Sequence, residues 1–349
     1  AFGKGGITAP WSVPYIDIGT TTSPQSIAIS GDGTTLVATR TGSPYGLFYK
    51  KGAYDSYYQL NTTTDAKLNS VYTASLSSNG SRLAVKGPSS VNVYIFDWNA
   101  GSNTFVFATT IVAPAVAYYF ALSNDGLYLL LWSTTALLTY KYNGSAWVIT
   151  NSPDISPTGT GGGVCVSSNG SKAAISSTAE IYTYTWNQTN NRYQKNNAVL
   201  MTSTPAYIYT LKMSSDGSKM VAWMNMAPYI LTYSWNSTNN RYEETALPDV
   251  APTAASSKLT ALSGDGSTLV HICTGGTFIY MWNATTSRYE KLVSIAIPAS
   301  YDLSLTNDGK ILAITTGAAP WIVLYERSSG NQFNLMAKIN KSKIYESLG

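Results

Sequence analysis

A four-residue turn recurs seven times along this chain: a hydroxyl residue, an unrestricted position, Asp or Asn, then Gly. The glycines are Gly33, Gly80, Gly126, Gly170, Gly217, Gly266 and Gly309, at spacings of 47, 46, 44, 47, 49 and 43 residues. Asp-Gly and Asn-Gly suit tight hairpins, and both positions are expected to take positive φ, which Gly, Asn and Asp tolerate best. The hydroxyl at Ser30, Ser77, Ser123, Ser167, Ser214, Ser263 or Thr306 can bond to the local backbone. Apolar residues flank each turn: Ile29, Leu76, Leu122, Val166, Met213, Leu262 and Leu305 before it, and Leu36, Leu83, Leu129, Ala173, Met220, Leu269 and Leu312 after it. The flanking runs are short and carry no helical stripe, so each turn joins two strands.

A third strand is marked by an aromatic 16 or 18 residues after each glycine: Tyr49, Trp98, Tyr142, Trp186, Trp235, Trp282 and Tyr325. Even offsets let all seven point to one face. A fourth strand opens on Tyr57, Phe105, Trp147, Tyr193, Tyr242, Tyr289 or Phe333. A single four-stranded sheet cannot bury both faces. Stacked radially, each sheet covers its neighbours. The expected architecture is all-β: a seven-bladed β-propeller with four antiparallel strands per blade. The chain divides into residues 1–22, a propeller over 23–339, and a tail over 340–349.

The hairpin resembles the Ser-x-Asp-Gly turn of seven-bladed propellers of the WD40-like and YVTN kind, over Ser23 to Ile339. It lacks the Gly-His and Trp-Asp pairs of true WD40 repeats; Asp97-Trp98 reverses the second, and Trp-Asn is the usual pair. Repeat style and composition also resemble, more loosely, propeller arrays of bacteriophage tail and other virion proteins. Two segments compete to close the ring. Trp11 to Ile18 resembles the fourth-strand run from Tyr289 to Ile297, and Phe333 to Ile339 reads as the fourth strand of the last blade. The N-terminal segment is expected to dock on the outer edge of that blade or to add a fifth strand there.

Only 11% of residues are charged, well below the usual quarter, while tyrosine supplies 26 residues. Such a surface suits an extracellular or virion-associated protein. Net charge is +4, and the basic residues are scattered apart from Lys338, Lys341 and Lys343, so no stripe for nucleic acid is expected. No apolar run reaches a membrane span. Cys165 and Cys273 fall in non-adjacent blades, too far apart for a disulfide. The eight Asn-x-Ser/Thr sites are explained by turn chemistry.

The catalytic inventory is thin. His271 is the single histidine and shares the core-facing side with Leu269. One histidine excludes multi-histidine metal sites, and nothing near it suggests a nucleophile elbow. No cofactor is expected. Candidate binding residues lie on the loops at one mouth of the channel: Tyr45, Tyr229 and Trp321, each following a proline, and Tyr118, Tyr119, Tyr207, Tyr209 and Tyr301. Flat rings supply contact area at low entropy cost, although the Pro-aromatic pairs equally suit packing between blades. The expected function is a non-enzymatic structural or interaction module, a virion component that presents loops to other proteins or a cell-surface receptor. A lectin-like carbohydrate binder is the alternative, and a propeller hydrolase or lyase comes behind it.

Overall fold

The computed structural model describes residues 24–51, 57–63, 65–87, 91–113, 117–133, 136–159, 162–177, 180–199, 207–253, 259–292, 297, 300–317, 321–336 and 339–340. In each blade four consecutive strands pair as an antiparallel meander. Blade one holds β1 (Pro24–Ile29), β2 (Thr35–Arg40), β3 (Gly46–Lys51) and β4 (Tyr57–Thr63). Blade two holds β5 (Thr73–Leu76), β6 (Arg82–Lys86), β7 (Asn92–Asn99) and β8 (Thr104–Val112). Blade three holds β9 (Ala117–Leu122), β10 (Tyr128–Ser133), β11 (Leu137–Tyr142) and β12 (Trp147–Ile149). Blade four holds β13 (Gly163–Val166), β14 (Lys172–Ser176), β15 (Ile181–Asn187) and β16 (Arg192–Lys195). Blade five holds β17 (Ile208–Met213), β18 (Lys219–Met224), β19 (Ile230–Asn236) and β20 (Arg241–Glu244). Blade six holds β21 (Leu259–Leu262), β22 (Thr268–Cys273), β23 (Gly276–Asn283) and β24 (Arg288–Lys291). Blade seven holds β25 (Ser300–Leu305), β26 (Ile311–Thr316), β27 (Ile322–Arg327) and β28 (Phe333–Leu335).

No blade has a core of its own. The buried apolar side chains form seven clusters, and each spans one interface between adjacent blades. The cluster of Leu36, Ala38, Ile311, Ala313 and Ile322 joins blade one to blade seven and so closes the ring. Strands β2, β10, β22 and β26 are buried along their whole length because neighbouring blades cover both faces. Their near-continuous apolar character follows from that position.

Of the two segments that bear on closure, the C-terminal one is described in its paired strands. Phe333–Leu335 forms the fourth strand of blade seven. On blade one, β29 (Ile339–Asn340) pairs in parallel with β4 and is the fifth strand of that sheet among the described residues. The segment 11–18, expected to close the ring, lies outside the described residues.

The turn also works differently. Only its glycine takes positive φ, between 65° and 72° across the seven blades. The Asp or Asn is selected for its side-chain oxygen. Asp32 Oδ1 accepts from the Ser30 hydroxyl and from Thr34 N at 2.9 Å, while Ser30 Oγ accepts from Thr35 N at 2.9 Å. Asn79 Oδ1 makes the same pair of bonds, to Ser77 Oγ at 2.9 Å and Ser81 N at 3.0 Å. An amide oxygen serves as well as a carboxylate, so the position needs an acceptor and no charge.

The third-strand aromatics are not all equivalent. Tyr49, Phe96, Tyr140, Tyr184, Tyr233, Tyr280 and Tyr325 each pair across to the apolar residue that follows the turn. The Trp residues sit two positions further on, level with Lys51 and Arg327 of blades one and seven. An even spacing preserved the face and concealed the two-residue shift. Trp186, Trp235 and Trp282 pack edge-on to Tyr193, Tyr242 and Tyr289 with centroids 5.1 to 5.2 Å apart. Those tyrosines donate to the carbonyls of Gly170, Gly217 and Gly266 at 2.7, 2.5 and 2.7 Å, and Tyr57 donates to Gly33. The outer strand is thereby tied to the innermost hairpin of the same blade.

Candidate functional site

The innermost strands β1, β5, β9, β13, β17, β21 and β25 surround a central channel whose two ends are unlike. At the hairpin end the second turn residues are Gly31, Ser78, Asn124, Ser168, Ser215, Gly264 and Asn307. Each of their carbonyls accepts a main-chain N–H from the preceding blade, at 2.6 to 3.0 Å: Asp32 to Ser78, Ser78 to Asn124, Asp125 to Ser168, Ser168 to Ser215, Ser215 to Gly264, Asp265 to Asn307, and Asn307 to Gly31. These seven bonds form a closed circle. Inside it, side chains of non-adjacent blades meet on the axis. Asn124 Nδ2 donates to Ser215 Oγ at 2.8 Å and Asn307 Oδ1 at 3.2 Å, and Asn307 Nδ2 donates to Ser78 Oγ at 2.8 Å. A Cβ at Gly31 or Gly264 would stand 2.3 Å from the Asn307 amide. The position that reads as unrestricted in the sequence is tightly enclosed at the axis. Its restriction to Gly, Ser and Asn was the available signal.

Above this plug lies a cavity of about 260 Å³, floored by Asn124 and Asn307 and walled by β1, β5 and β25, with Lys212 of β17 opposite. An innermost strand presents unpaired N–H groups to the lumen, and the neighbouring blade supplies acceptors for them. Asp302 Oδ2 accepts from Ile27 N at 2.9 Å and Ser26 Oγ at 2.7 Å; Ser304 Oγ accepts from Ile29 N at 3.1 Å; Ser26 Oγ accepts from Ala74 N at 3.0 Å. Enclosure raises the Asp302 pKa, and the hydrogen bonds from Ser26 and Ile27 and the charge of Lys212 oppose that shift. Lys212 is exposed to the lumen and makes no hydrogen bond or ion pair among the described residues.

At the other end the described residues include exposed aromatics. Tyr72 and Tyr301 are 55% and 53% exposed at the starts of the innermost strands of blades two and seven. Sequence reasoning had not singled out Tyr72, which stands eight residues before its turn glycine, as Tyr301, Tyr209 and Tyr118 do. Tyr119 of blade three lies within electrostatic range of Tyr207 and Tyr209 of blade five: burial raises the Tyr119 pKa, and Tyr207 and Tyr209 add to the shift. Tyr207 meets Tyr209 edge-on at 4.9 Å, Tyr209 stacks on Trp223 at 4.5 Å, and Trp223 lies 5.9 Å from the His271 ring.

His271 is fully buried, with Nδ1 2.9 Å from Thr260 Oγ1. Burial pushes its pKa down to about 4. A neutral, enclosed imidazole is a core residue. Cys165 and Cys273 are buried free thiols, and burial pushes Cys165 up to about 12. Tyr45 packs against the core between blades one and two, and Tyr229 and Trp321 are half-buried where β19 and β27 begin, so these three do not join the tyrosine group. Tyr118 lies in β9, and its side chain is outside the described set. Among the described residues no group of three or more His, Cys, Asp or Glu is gathered for a metal, and no helix is long and apolar enough to cross a membrane.

No protein-family model matches the sequence, and no curated protein matches it. Solved structures do. The β-propeller domain of Cps50 (Swd1) from Myceliophteria thermophila aligns with a TM-score of 0.63 at 11% identity, covering 88% of this chain and 99% of that one. A Bacteroides uniformis protein provisionally assigned as a 6-phosphogluconolactonase gives 0.63 at 12% identity, covering 88% and 97%. A functionally unknown protein from Desulfotomaculum acetoxidans gives 0.62 at 9%, covering 92% and 96%. At these identities the likeness establishes the fold alone: this chain is a seven-bladed β-propeller, similar to WD40-like propellers.

Proposed function

We propose that the protein is a non-enzymatic interaction module that engages a protein partner or cell-surface receptor through the aromatic mouth of its channel, as a structural component of a virion. The supporting observation is the asymmetry of the channel. One end is sealed by a polar plug, while the other offers Tyr72, Tyr301 and the Tyr119–Tyr207–Tyr209 group on a rigid ring. Tyrosines held on a stiff scaffold lose little freedom on binding. The low charge and the repeat style carry the virion part of the reading. Its test is mass spectrometry of particles purified from the native source. The chain is expected at a fixed copy number relative to the other particle proteins, and Tyr72→Ser/Tyr301→Ser is expected to lower its incorporation without shifting its Tm. Recovery only as a free monomer, or turnover of a small substrate abolished by Lys212→Met, would overturn it.

A further inference from the structure

We infer that the groove between blades two and three is a saccharide-binding site, separate from the channel mouth. It encloses about 390 Å³, within the span of about 300–1,000 Å³ typical of small-molecule sites. The groove exists because the two blades end differently. The outer strand of blade two, β8, runs nine residues and ends its sheet, whereas β12 of blade three stops after three. One wall is therefore the polar strip Thr109–Thr110 of β8, and the other is Tyr140, Tyr142 and Trp147.

The chemistry of the two walls selects the ligand. The Tyr142 and Trp147 rings are 5.6 Å apart and tilted by 50°, which forms a trough. Aromatic walls suit the C–H faces of a pyranose, and the hydroxyl groups of a sugar need acceptors beside them. Asp97 supplies those at one end of the groove, with its side chain 42% exposed. Arg82 fixes the arrangement. It donates to Asp97 through Nε at 2.7 Å and Nη2 at 3.1 Å, and its guanidinium lies 4.0 Å from the Tyr142 ring centroid and 5.4 Å from that of Trp147. One cation thus holds three of the lining side chains in place before any ligand arrives. Because Arg82 is spent on Asp97, the groove offers neither a free cation for a phosphate nor an unpaired carboxylate for a metal. A neutral mono- or disaccharide is the class that fits.

The experiment is calorimetric titration and ligand-observed NMR of the full chain with maltose, cellobiose, lactose and N,N′-diacetylchitobiose. At least one is expected to bind with a Kd in the millimolar range or tighter, and Trp147→Ala is expected to weaken it about tenfold or more. Should Trp147→Ala unfold, Ala108→Arg blocks the groove from the exposed strand β8 and is expected to abolish binding with the far-ultraviolet spectrum unchanged. Lys212→Met, in the channel, should leave saccharide affinity as it was. No binding of any of the four at about 50 mM, binding that survives both groove variants, or binding lost only in Lys212→Met would each overturn the proposal.

Discussion

The two ends of the central channel are built from the same seven innermost strands and solve opposite problems. At the hairpin end every blade contributes the same turn, so the circle of main-chain bonds can form and the enclosed residues must stay small. At the aromatic end the connections vary in length and sequence. Only four blades place a tyrosine eight residues before the turn glycine, and the chemistry that results is uneven around the ring. Repetition gives closure; departure from repetition gives an uneven surface, which is what the proposed binding role uses.

That contrast can be broken most severely at Gly162, on the aromatic side. A Cβ there would lie 1.8 Å from the Ile208 carbonyl oxygen, a main-chain atom that cannot swing aside. Gly162→Ala is expected to cost about 3 kcal/mol or more, read as a lower urea midpoint. A loss under about 1 kcal/mol would show that the aromatic end yields as easily as a loop. The second effect concerns acid. The His271 pKa falls from 6.5 in the unfolded chain to about 4 in the fold. The unfolded state therefore binds the proton first as pH drops, and stability is lost between pH 6.5 and about 4, by about 3 kcal/mol. His271→Gln should remove that slope, so the difference between the two pH profiles isolates the term. Equal slopes would place the acid sensitivity elsewhere.

The plug comes next. Asn307→Ala removes an acceptor from Asn124 and a donor to Ser78. A cost of about 2 kcal/mol is expected in chemical denaturation, with hydrogen exchange rising at the turn amides of blades two, three and seven. Unchanged exchange would mean that the main-chain circle holds without its side chains. The smallest effect compares blades. Tyr193→Phe, Tyr242→Phe and Tyr289→Phe each lose the bond to a turn carbonyl, and each should cost about 1 kcal/mol. Blade two has Phe105 at this position. Phe105→Tyr is expected to gain up to about 1 kcal/mol if its hydroxyl reaches the Gly80 carbonyl.

Much of the fold could be read without coordinates because a repeat states its structure seven times. The turn glycines, the apolar flanks and the outer aromatics gave blade number and strand order, since only radial stacking buries sheets of this pattern. Register was harder. Tyr49 and Trp98 share a face but not a level, and a period of two cannot separate them. The candidate residues were legible as positions and not as a group: Tyr119, Tyr207 and Tyr209 lie near one another, Tyr45 packs between blades one and two, and Tyr229 and Trp321 are half-buried elsewhere. Lys212 and Asp302 gave no signal, because nothing local distinguishes a lumen-facing charge on an inner strand from a solvated one.

The sequence by itself determined what is local and repeated: the hairpin chemistry, the alternation of faces and the number of sheets, each encoded within a few residues. Tertiary structure alone decided what depends on residues far apart in the chain. Asn124, Asn307, Ser78 and Ser215 meet because a closed ring brings non-adjacent blades to one axis. Ile339–Asn340 lies along blade one because the last sheet ends beside the first. Such meetings are fixed by the geometry of closure, which no single segment contains.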